Sequence, residues 1–297
     1  MAPRFSIVIA SRNAAATIAR TLDSLAAQSY PNLQVVCIDG ASTDDTVGVI
    51  RRFGGLVSVL VSESDRNVAD ALNKGFRYGD GEYLGYVNAD DALAENALEC
   101  VVELFRQNPD VDVITGGCRR VYADGSEYVT HVRTDFMQVL ALMNPIEQPS
   151  TFWRRRAWDK AGEFDVSYFL AFDWEYWNRL QKSGARFFST DKVLSHYYFS
   201  DTNLTSRGGR KLVDEMFKIT RTYGPYKGVV AYLYLALYNI FDLRGYYDQP
   251  FTALPRWRQL LFGVALKALY LVLGKQIVNS YNWNFASKQE RGLVWYK

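Results

Sequence analysis

Residues 83–91 read YLGYVNADD, a short apolar run that closes on one asparagine and two carboxylates. An apolar run of this length with aromatic residues reads as a buried strand. Its polar end places hard oxygen ligands at the edge of a sheet, where a divalent cation and a diphosphate can meet. With side chains alternating along an extended segment, Asn88 and Asp90 point one way and Asp91 the other. Asp90 is then the expected metal ligand, and Asn88 the expected contact to a neighbouring hydroxyl or water. The plainer alternative is that Asp90 or Asp91 caps a helix starting near Glu95.

Upstream the same grammar repeats. FSIVIA (5–10) is a strand, followed by SRNAAATIARTLDSL. There Ser11 and Asn13 read as helix-start residues and Ile18, Leu22 and Leu25 share one stripe. LQVVCID (33–39) is a second strand, followed by GASTDDTVGVI. Gly40 permits a sharp turn, and Ser42, Thr43 or Asp44 can cap the next helix. LVSVLVS (56–62) is a third strand, followed by Glu63-Ser64-Asp65 and a helix around 69–78. Repeated strand–loop–helix units predict an α/β fold with a mostly parallel sheet flanked by helices. Ligands of such sheets lie beyond the carboxyl ends of the strands, so Asp39, Asp65 and Asp90 are expected to face one crevice. Neither a G-x-G-x-x-G after the first strand nor a G-x-x-x-x-G-K-[ST] is present. A dinucleotide fold or a phosphate-loop ATPase is therefore disfavoured.

Taken in order, SIVIASRN, VVCIDGASTDDT, SESDRNVADALNKG and YLGYVNADD resemble the nucleotide-sugar-binding half of the family 2 glycosyltransferases, which have the GT-A fold. The resemblance continues through NPIEQPSTFWRR and GEFDVSYFLAFDWEYWNRL, so it covers roughly residues 4–205. It implies that Ala10, Ser11 and Arg12 line the nucleotide base, that Asp39 hydrogen-bonds it, and that Asp65 lies in the next base-proximal loop. Asn13, Ser42, Asn73 and Lys74 join the implied nucleotide-sugar site. The family's D-x-D motif maps to Asn88-Ala89-Asp90, with Asp90 holding Mn²⁺ or Mg²⁺ across the diphosphate. The family's base maps to Asp173. The chain departs from the common pattern at Asn88, an acid in most relatives, and at Asn67, often glycine. It departs again at Gln148-Pro149-Ser150, where many relatives have His-Pro-Ser or His-Gln-Ser, and at Phe172-Asp173, commonly Glu-Asp.

The chemistry can also be argued directly. Glycosyl transfer needs a leaving group stabilised as it becomes negative, which a divalent ion does without proton transfer. The acceptor hydroxyl needs a base on the opposite face, and a carboxylate is enough. On a helix, Asp173 and Glu175 face roughly 200° apart and cannot both serve one site. Asp173 shares its side with Tyr176 and Trp177, read here as a sugar-stacking wall. Glu175 pairs with Arg179 at i,i+4, read as a solvated pair. That favours Asp173 as the base over a simple helix cap. Gln148, Ser150, Trp174 and Trp177 are the candidate acceptor contacts. Arg66 and Lys74 read as phosphate contacts or solvated cations, and Asp70 with Asn73 as a structural face. Arg154-Arg155-Arg156 reads as an anion site or a solvated edge, and His196 as a core histidine or a metal ligand.

The chain has 297 residues and a net charge of +2, which makes no case for nucleic acid as a partner. Cys37, Cys100 and Cys118 lack metal spacing and suit a reducing compartment. The first strand leaves no room for a signal peptide. Ala123-Asp124-Gly125-Ser126 predicts a hairpin. From Gly224 the character changes. GVVAYLYLALYNIF (228–241) and WRQLLFGVALKALYLVLGK (257–275) are apolar and aromatic, and Lys267 interrupts the second. With Arg256, Arg258, Lys267 and Lys275 they read as interfacial helices on an anionic membrane, or as a hairpin packed on protein.

The expected domains are a catalytic one over 1–215 and a helical, aromatic-rich extension over 216–297. The expected activity is inverting transfer from a nucleoside-diphosphate sugar, UDP first and GDP or dTDP after it, to a glycan or polyprenyl-linked acceptor in cell-surface polysaccharide synthesis. The expected place is the inner face of the cell membrane, with oligomerisation left open. The alternatives are an inactive nucleotide-sugar-binding module and a sugar-1-phosphate nucleotidyltransferase. The second would carry a glycine-rich basic loop where SRNAAATIA stands.

Overall fold

Phe5, Ile7, Val8 and Ile9 are all fully buried, on both faces of one strand. That strand, β1 (Phe5–Ser11), is an inner strand of the sheet, which is why its sequence is apolar on both faces rather than alternating. It pairs in parallel with β2 (Leu33–Asp39) and with β4 (Tyr83–Tyr86), and β2 pairs in parallel with β3 (Val57–Ser62). The helices α1 (Ile18–Ala26), α2 (Thr46–Arg51) and α3 (Val68–Tyr78) connect these strands. Gly75 lets α3 lie close on the sheet, since a Cβ there would sit 2.3 Å from Val8 Cγ1.

The computed structural model describes residues 2–130, 140–200, 209–241 and 255–273. The chain divides into two units, residues 1–132 with 146–199, and residues 133–145 with 200–297. In the first, the parallel half of the sheet continues into a mixed half. This half contains β5 (Ala92–Leu93), β6 (Val113–Val121), β7 (Glu127–Val129), β8 (Thr151–Arg154) and β9 (Phe187–Tyr198). Among the described residues the order is β3-β2-β1-β4-β8-β6-β9-β5, with β7 on β6. β8 runs antiparallel to β4 and β6, whereas β6 and β9 are parallel. Three more helices, α4 (Ala97–Gln107), α5 (Arg155–Ala161) and α6 (Phe172–Lys182), belong to this unit. The expected hairpin is present. β6 and β7 pair antiparallel across Gly125, at φ +81°, and Asp124 Oδ1 accepts from the Ser126 N–H at 2.9 Å.

Two local expectations fail. Strand β4 ends at Tyr86, and residues 88–91 form a tight turn in which Asp91 N–H donates to the Asn88 carbonyl at 3.1 Å. The alternation argument therefore does not apply at its polar end. Nor does either aspartate cap α4, whose N-cap is Asn96. Likewise α1 begins at Ile18, not at Ser11 or Asn13. Asn13 sits at φ +50°, and its Oδ1 accepts from the Thr43 N–H at 2.8 Å, so it ties one strand-end loop to the next.

The second unit contains α7 (Gly209–Tyr223), α8 (Val229–Ile240) and α9 (Arg256–Leu273). Val213, Leu237, Tyr238 and Phe262 form its core, and Leu142 packs with Val230. No helix among the described residues is long and apolar enough to cross a membrane. Lys275 lies outside the described residues.

Candidate active site

The strands β1, β2, β3 and β4 are parallel, so their carboxyl ends lie along one edge of the sheet, the edge at which ligands of such sheets bind. At β2, Asp39 is completely buried. Its Oδ2 accepts from the Ser42 N–H at 2.9 Å and from Ser62 Oγ at 2.7 Å, and its Oδ1 accepts from Ser42 Oγ. Ser42 Oγ in turn accepts the Asn13 N–H at 2.8 Å. This carboxylate is thus the knot that ties three loops. It accepts three hydrogen bonds and is closed from the surface in this structure. Ser11, paired with Asp39 in register, leaves a buried Oγ without a partner. Ala10 is half-buried just before it.

Asp65 differs in every respect. It is half-buried, and burial pushes its carboxyl up, against the nearby charges of Lys74 and Arg12. Lys74 itself binds Glu63 Oε1 at 2.8 Å and the Ser64 carbonyl at 2.9 Å. Asn73 exchanges hydrogen bonds with the backbone of Phe164, both at 2.9 Å, and so joins α3 to the loop before α6. The neighbouring Asn67 caps α3 through Asp70 N–H and donates to the Val166 carbonyl at 2.9 Å. Asn73 and Asn67 are clasps, and Lys74 is an ion-pair partner. Arg66 pairs with Asp70 at 2.7 Å.

Past β4, Asn88 Nδ2 donates both to Asp91 Oδ2 at 3.1 Å and to Gln148 Oε1 at 3.0 Å. Gln148 Nε2 donates to the Tyr86 carbonyl at 2.8 Å. Ala89, in the turn, is buried. Asp91 is fully buried, and burial followed by the charge of Asp90 holds its carboxyl well above the usual range. Asp90 is half-exposed. Burial raises its carboxyl too, while its own backbone N–H and Arg20 work the other way. Two residues missed by sequence reasoning support this turn. Arg20 Nη2 donates to the Asp90 carbonyl at 2.7 Å, and its guanidinium lies 3.5 Å from the centroid of the Tyr198 ring. Thr21 Oγ1 donates to the Asp91 carbonyl at 2.7 Å. Arg20 lies on the α1 face that shows charge to the sequence reader. No local signal links it to a turn so far along the chain.

Asp173 lies in the first turn of α6, after the N-cap Ala171, and is half-exposed. Its Oδ1 accepts the Trp174 N–H at 2.7 Å. On β4, the Tyr86 ring lies 6.2 Å from the ring of Phe172, next to Asp173 in the chain. Burial, then the charges of Asp173 and Asp91, push the Tyr86 phenol far up, so it is a neutral donor. Its Oη is buried without a partner.

Several expected surface residues turn inward. Trp177 and Tyr176 are 0% exposed, and Trp153 packs on both, with ring centroids 5.6 and 5.8 Å away. They are an aromatic core under the crevice and not a stacking wall. Trp174 is 5% exposed. Ser150 is buried, with its Oγ bonded to the Gly117 carbonyl at 2.7 Å and to Ser195 Oγ at 2.6 Å. Glu175 is buried and bound by the half-buried Arg179 through Nε at 3.0 Å and Nη2 at 2.9 Å, so it is not one of a solvated pair. The triple arginine is a clasp as well. Arg154 and Arg155 donate to the carbonyls of Val111 at 2.9 Å and Gly81 at 2.7 Å, and Arg156 binds Asp112 at 2.6 Å. His196 is half-buried opposite Ala92, and burial together with Arg119 keeps its imidazole neutral.

Known proteins agree with this architecture. The profile of Glycosyl transferase family 2 matches residues 6–172. A PGL/p-HBAD biosynthesis glycosyltransferase of Mycobacterium bovis is 28% identical over 200 residues, 66% of this chain and 74% of that protein. The amylovoran biosynthesis glycosyltransferase AmsB of Erwinia amylovora is 27% identical over 217 residues, 65% of this chain and 69% of that one. Among solved structures, S. aureus TarS 1–349 in complex with UDP-GlcNAc superposes with a TM-score of 0.63 at 14% identity, over 96% of this chain and 90% of that one. The mannosyltransferase PcManGT of Pyrobaculum calidifontis, in complex with GDP-Man and Mn²⁺, gives 0.59 at 20% identity, over 97% and 84%. At these identities the structures speak for the GT-A fold alone. The fold, the strand-end acids and the profile lead to one conclusion: this chain is a glycosyltransferase and belongs to glycosyl transferase family 2.

Proposed function

We propose that this glycosyltransferase works with inversion, moving a sugar from a nucleoside-diphosphate sugar to an acceptor hydroxyl. Asp90 is the protein's ligand to a divalent cation, and Asp173 is the base. The observation that carries this is the connection between the two acids. Asn88 beside Asp90 donates to Gln148, Gln148 donates to the Tyr86 carbonyl, and the Tyr86 phenol feels the charge of Asp173. Both carboxylates are half-exposed, and the ring of Tyr86 on β4 lies 6.2 Å from that of Phe172, the residue before Asp173.

The donor set suits Mn²⁺ or Mg²⁺ arriving with substrate. Asp90 offers one carboxylate, and Asn88 Oδ1 is the next available oxygen, because Asp91 is already engaged by Asn88 and by the Tyr198 N–H. Among the described residues no cluster of three or more His, Cys, Asp or Glu forms a cage. Such ions are commonly held by one or two carboxylates plus substrate phosphates. When bound, the ion neutralises charge on the departing diphosphate. Asp173 takes the proton of the acceptor hydroxyl as its oxygen forms the bond to the anomeric carbon and the bond to the diphosphate breaks. Glu175, buried and paired with Arg179, is not available for that proton.

The acceptor we propose is a lipid-linked glycan in cell-surface polysaccharide synthesis. The names of the M. bovis and E. amylovora relatives support this class. Residues 216–297 are assigned to attachment at the inner face of the cell membrane and residues 1–215 to catalysis. On α9, Trp257, Leu260, Leu261, Val264, Leu271 and Val272 are exposed, alongside Arg256, Arg258 and Lys267. Incubating the purified protein with a panel of nucleotide sugars and Mn²⁺ tests the activity. Release of a nucleoside diphosphate that depends on acceptor and is blocked by chelator supports it. Undiminished release in excess EDTA rejects the role given to Asp90.

A further inference from the structure

Asn88 and Gln148 are two of the positions at which the chain departs from the common family pattern, and the structure bonds them to each other across 60 residues of sequence. Together with Tyr86 they fix the orientation of two amides. A backbone carbonyl only accepts, so the Tyr86 carbonyl must face the nitrogen of Gln148, at 2.8 Å. Gln148 Oε1 is then turned to Asn88. It too only accepts, so the nitrogen of Asn88 must face it, at 3.0 Å. The other N–H of Asn88 goes to Asp91 Oδ2 at 3.1 Å. Both amide protons of Asn88 are thus used, and among the described residues none donates to its Oδ1. Gln148, expected among the acceptor contacts, has both ends of its amide engaged inside the protein.

We infer that Gln148 is a positioning residue for the metal turn. It holds the Asn88 amide with its oxygen outward, so that the chain offers the cation a second protein oxygen without a second charge. This rests on Asp90 being the protein's ligand to the cation. An unrestrained asparagine can present either its oxygen or its NH₂ group, and the NH₂ group repels a cation. The lock makes that choice before substrate arrives. It also makes the two residues a matched couple. A carboxylate at position 88 would face two acceptors, Asp91 Oδ2 and Gln148 Oε1. Gln148 could turn its nitrogen to that carboxylate only by giving up the Tyr86 carbonyl. Adding a charge at 88 alone therefore works against the turn, although added charge by itself would favour a cation.

Calorimetric titration of the full chain with UDP, GDP and dTDP, with and without Mn²⁺, tests this. For the nucleotide that binds best, the ratio of the two affinities measures what the metal contributes. Gln148→Leu should lower that ratio by about 10- to 100-fold and leave metal-free affinity within about 2-fold. Loss of a merely structural contact would lower the melting temperature and spare the ratio. Asn88→Asp is then made in wild type and in a Gln148→His background, where an imidazole N–H can meet the added carboxylate. Its effect on the ratio should be about 10-fold or more favourable in the second background, as expected for side chains in contact. This cycle serves if Gln148→Leu does not fold. The inference is wrong if Gln148→Leu keeps the wild-type ratio, or if Asn88→Asp acts equally in both backgrounds. A wild type that binds none of the three, or binds them equally without Mn²⁺, overturns the metal reading itself and the role of Gln148 with it.

Discussion

The β2–β3 end of the crevice and the β4 end each carry two acids, and in each place one acid is sealed while the other meets solvent. Asp39 is closed in by two serines while Asp65 stands free over Gly40. Asp91 is closed in by Asn88 and β9 while Asp90 is half-exposed. On α6, Glu175 is bound by Arg179, whereas Asp173 is half-exposed. The arrangement teaches that an acid's place at a strand end does not fix its role. What separates them is how far each carboxylate is closed off from solvent. A sealed acid organises loops, and its loss should cost stability. An open acid meets ligand, and its loss should cost turnover.

The largest expected effects test the open members. Asp90→Ala should abolish transfer, and chelation of wild type should do the same reversibly, with little change in melting temperature. Asp173→Asn keeps the shape and removes proton acceptance, so kcat should fall by roughly 10²–10⁴-fold while donor affinity holds. If Glu175→Gln proves the more damaging to kcat in a folded protein, the assignment within α6 is inverted.

The sealed members should show the reverse. Asp39→Ala strands the Ser42 N–H and the hydroxyls of Ser42 and Ser62, and unfolding should become easier by about 1–3 kcal/mol in denaturant melts. An unchanged midpoint with lost nucleotide binding would give the base-reading role to Asp39 and break the comparison at that end.

A further expectation concerns the second unit, where large apolar side chains are exposed on α9 rather than sealed. The protein should float with anionic vesicles at low salt, and charge reversal at Arg256, Arg258 and Lys267 should weaken this. Protein that stays at the bottom of the gradient sinks the membrane reading.

The parallel half of the fold was legible because each strand is short, apolar and followed by a helical stripe, and the strand-end acids could be named from position alone. Sealed and open could not be told apart. The difference between Asp39 and Asp65 depends on Ser62 and Gly40, and that between Asp90 and Asp91 on Asn88 and Tyr198, contacts that the linear chain does not display. The aromatics misled for a related reason. At helical spacing, Tyr176 and Trp177 look the same whether they line a sugar or, as here, pack on Trp153. Three arginines in a row suggested an anion site, but the backbone carbonyls that take up Arg154 and Arg155 are invisible in sequence.

The smallest expected effect is a pH dependence at the open end of β3. Burial raises the Asp65 carboxyl above its ordinary range, Asp70 and Asp39 push the same way, and Lys74 and Arg12 pull it down without cancelling the shift. A raised folded-state pKa means that the folded chain holds this proton in a window where the unfolded chain has lost it. Asp65 therefore contributes stability below the ordinary carboxylate range and loses it as pH rises through the raised value. Binding has the opposite sign. If Asp65, in the base-proximal loop that the resemblance implies, accepts from a ring N–H of the base, it must be ionised to do so, and affinity for the nucleoside diphosphate should fall as pH drops through the same window. Asp65→Asn, with nothing to titrate, should lose this component of the profile while any fall owed to Asp90 and the metal remains. Repeating the titrations without metal separates the two, because only the Asp65 component should persist. A metal-free profile identical in wild type and Asp65→Asn would show that the free carboxylate over Gly40 does not meet the base.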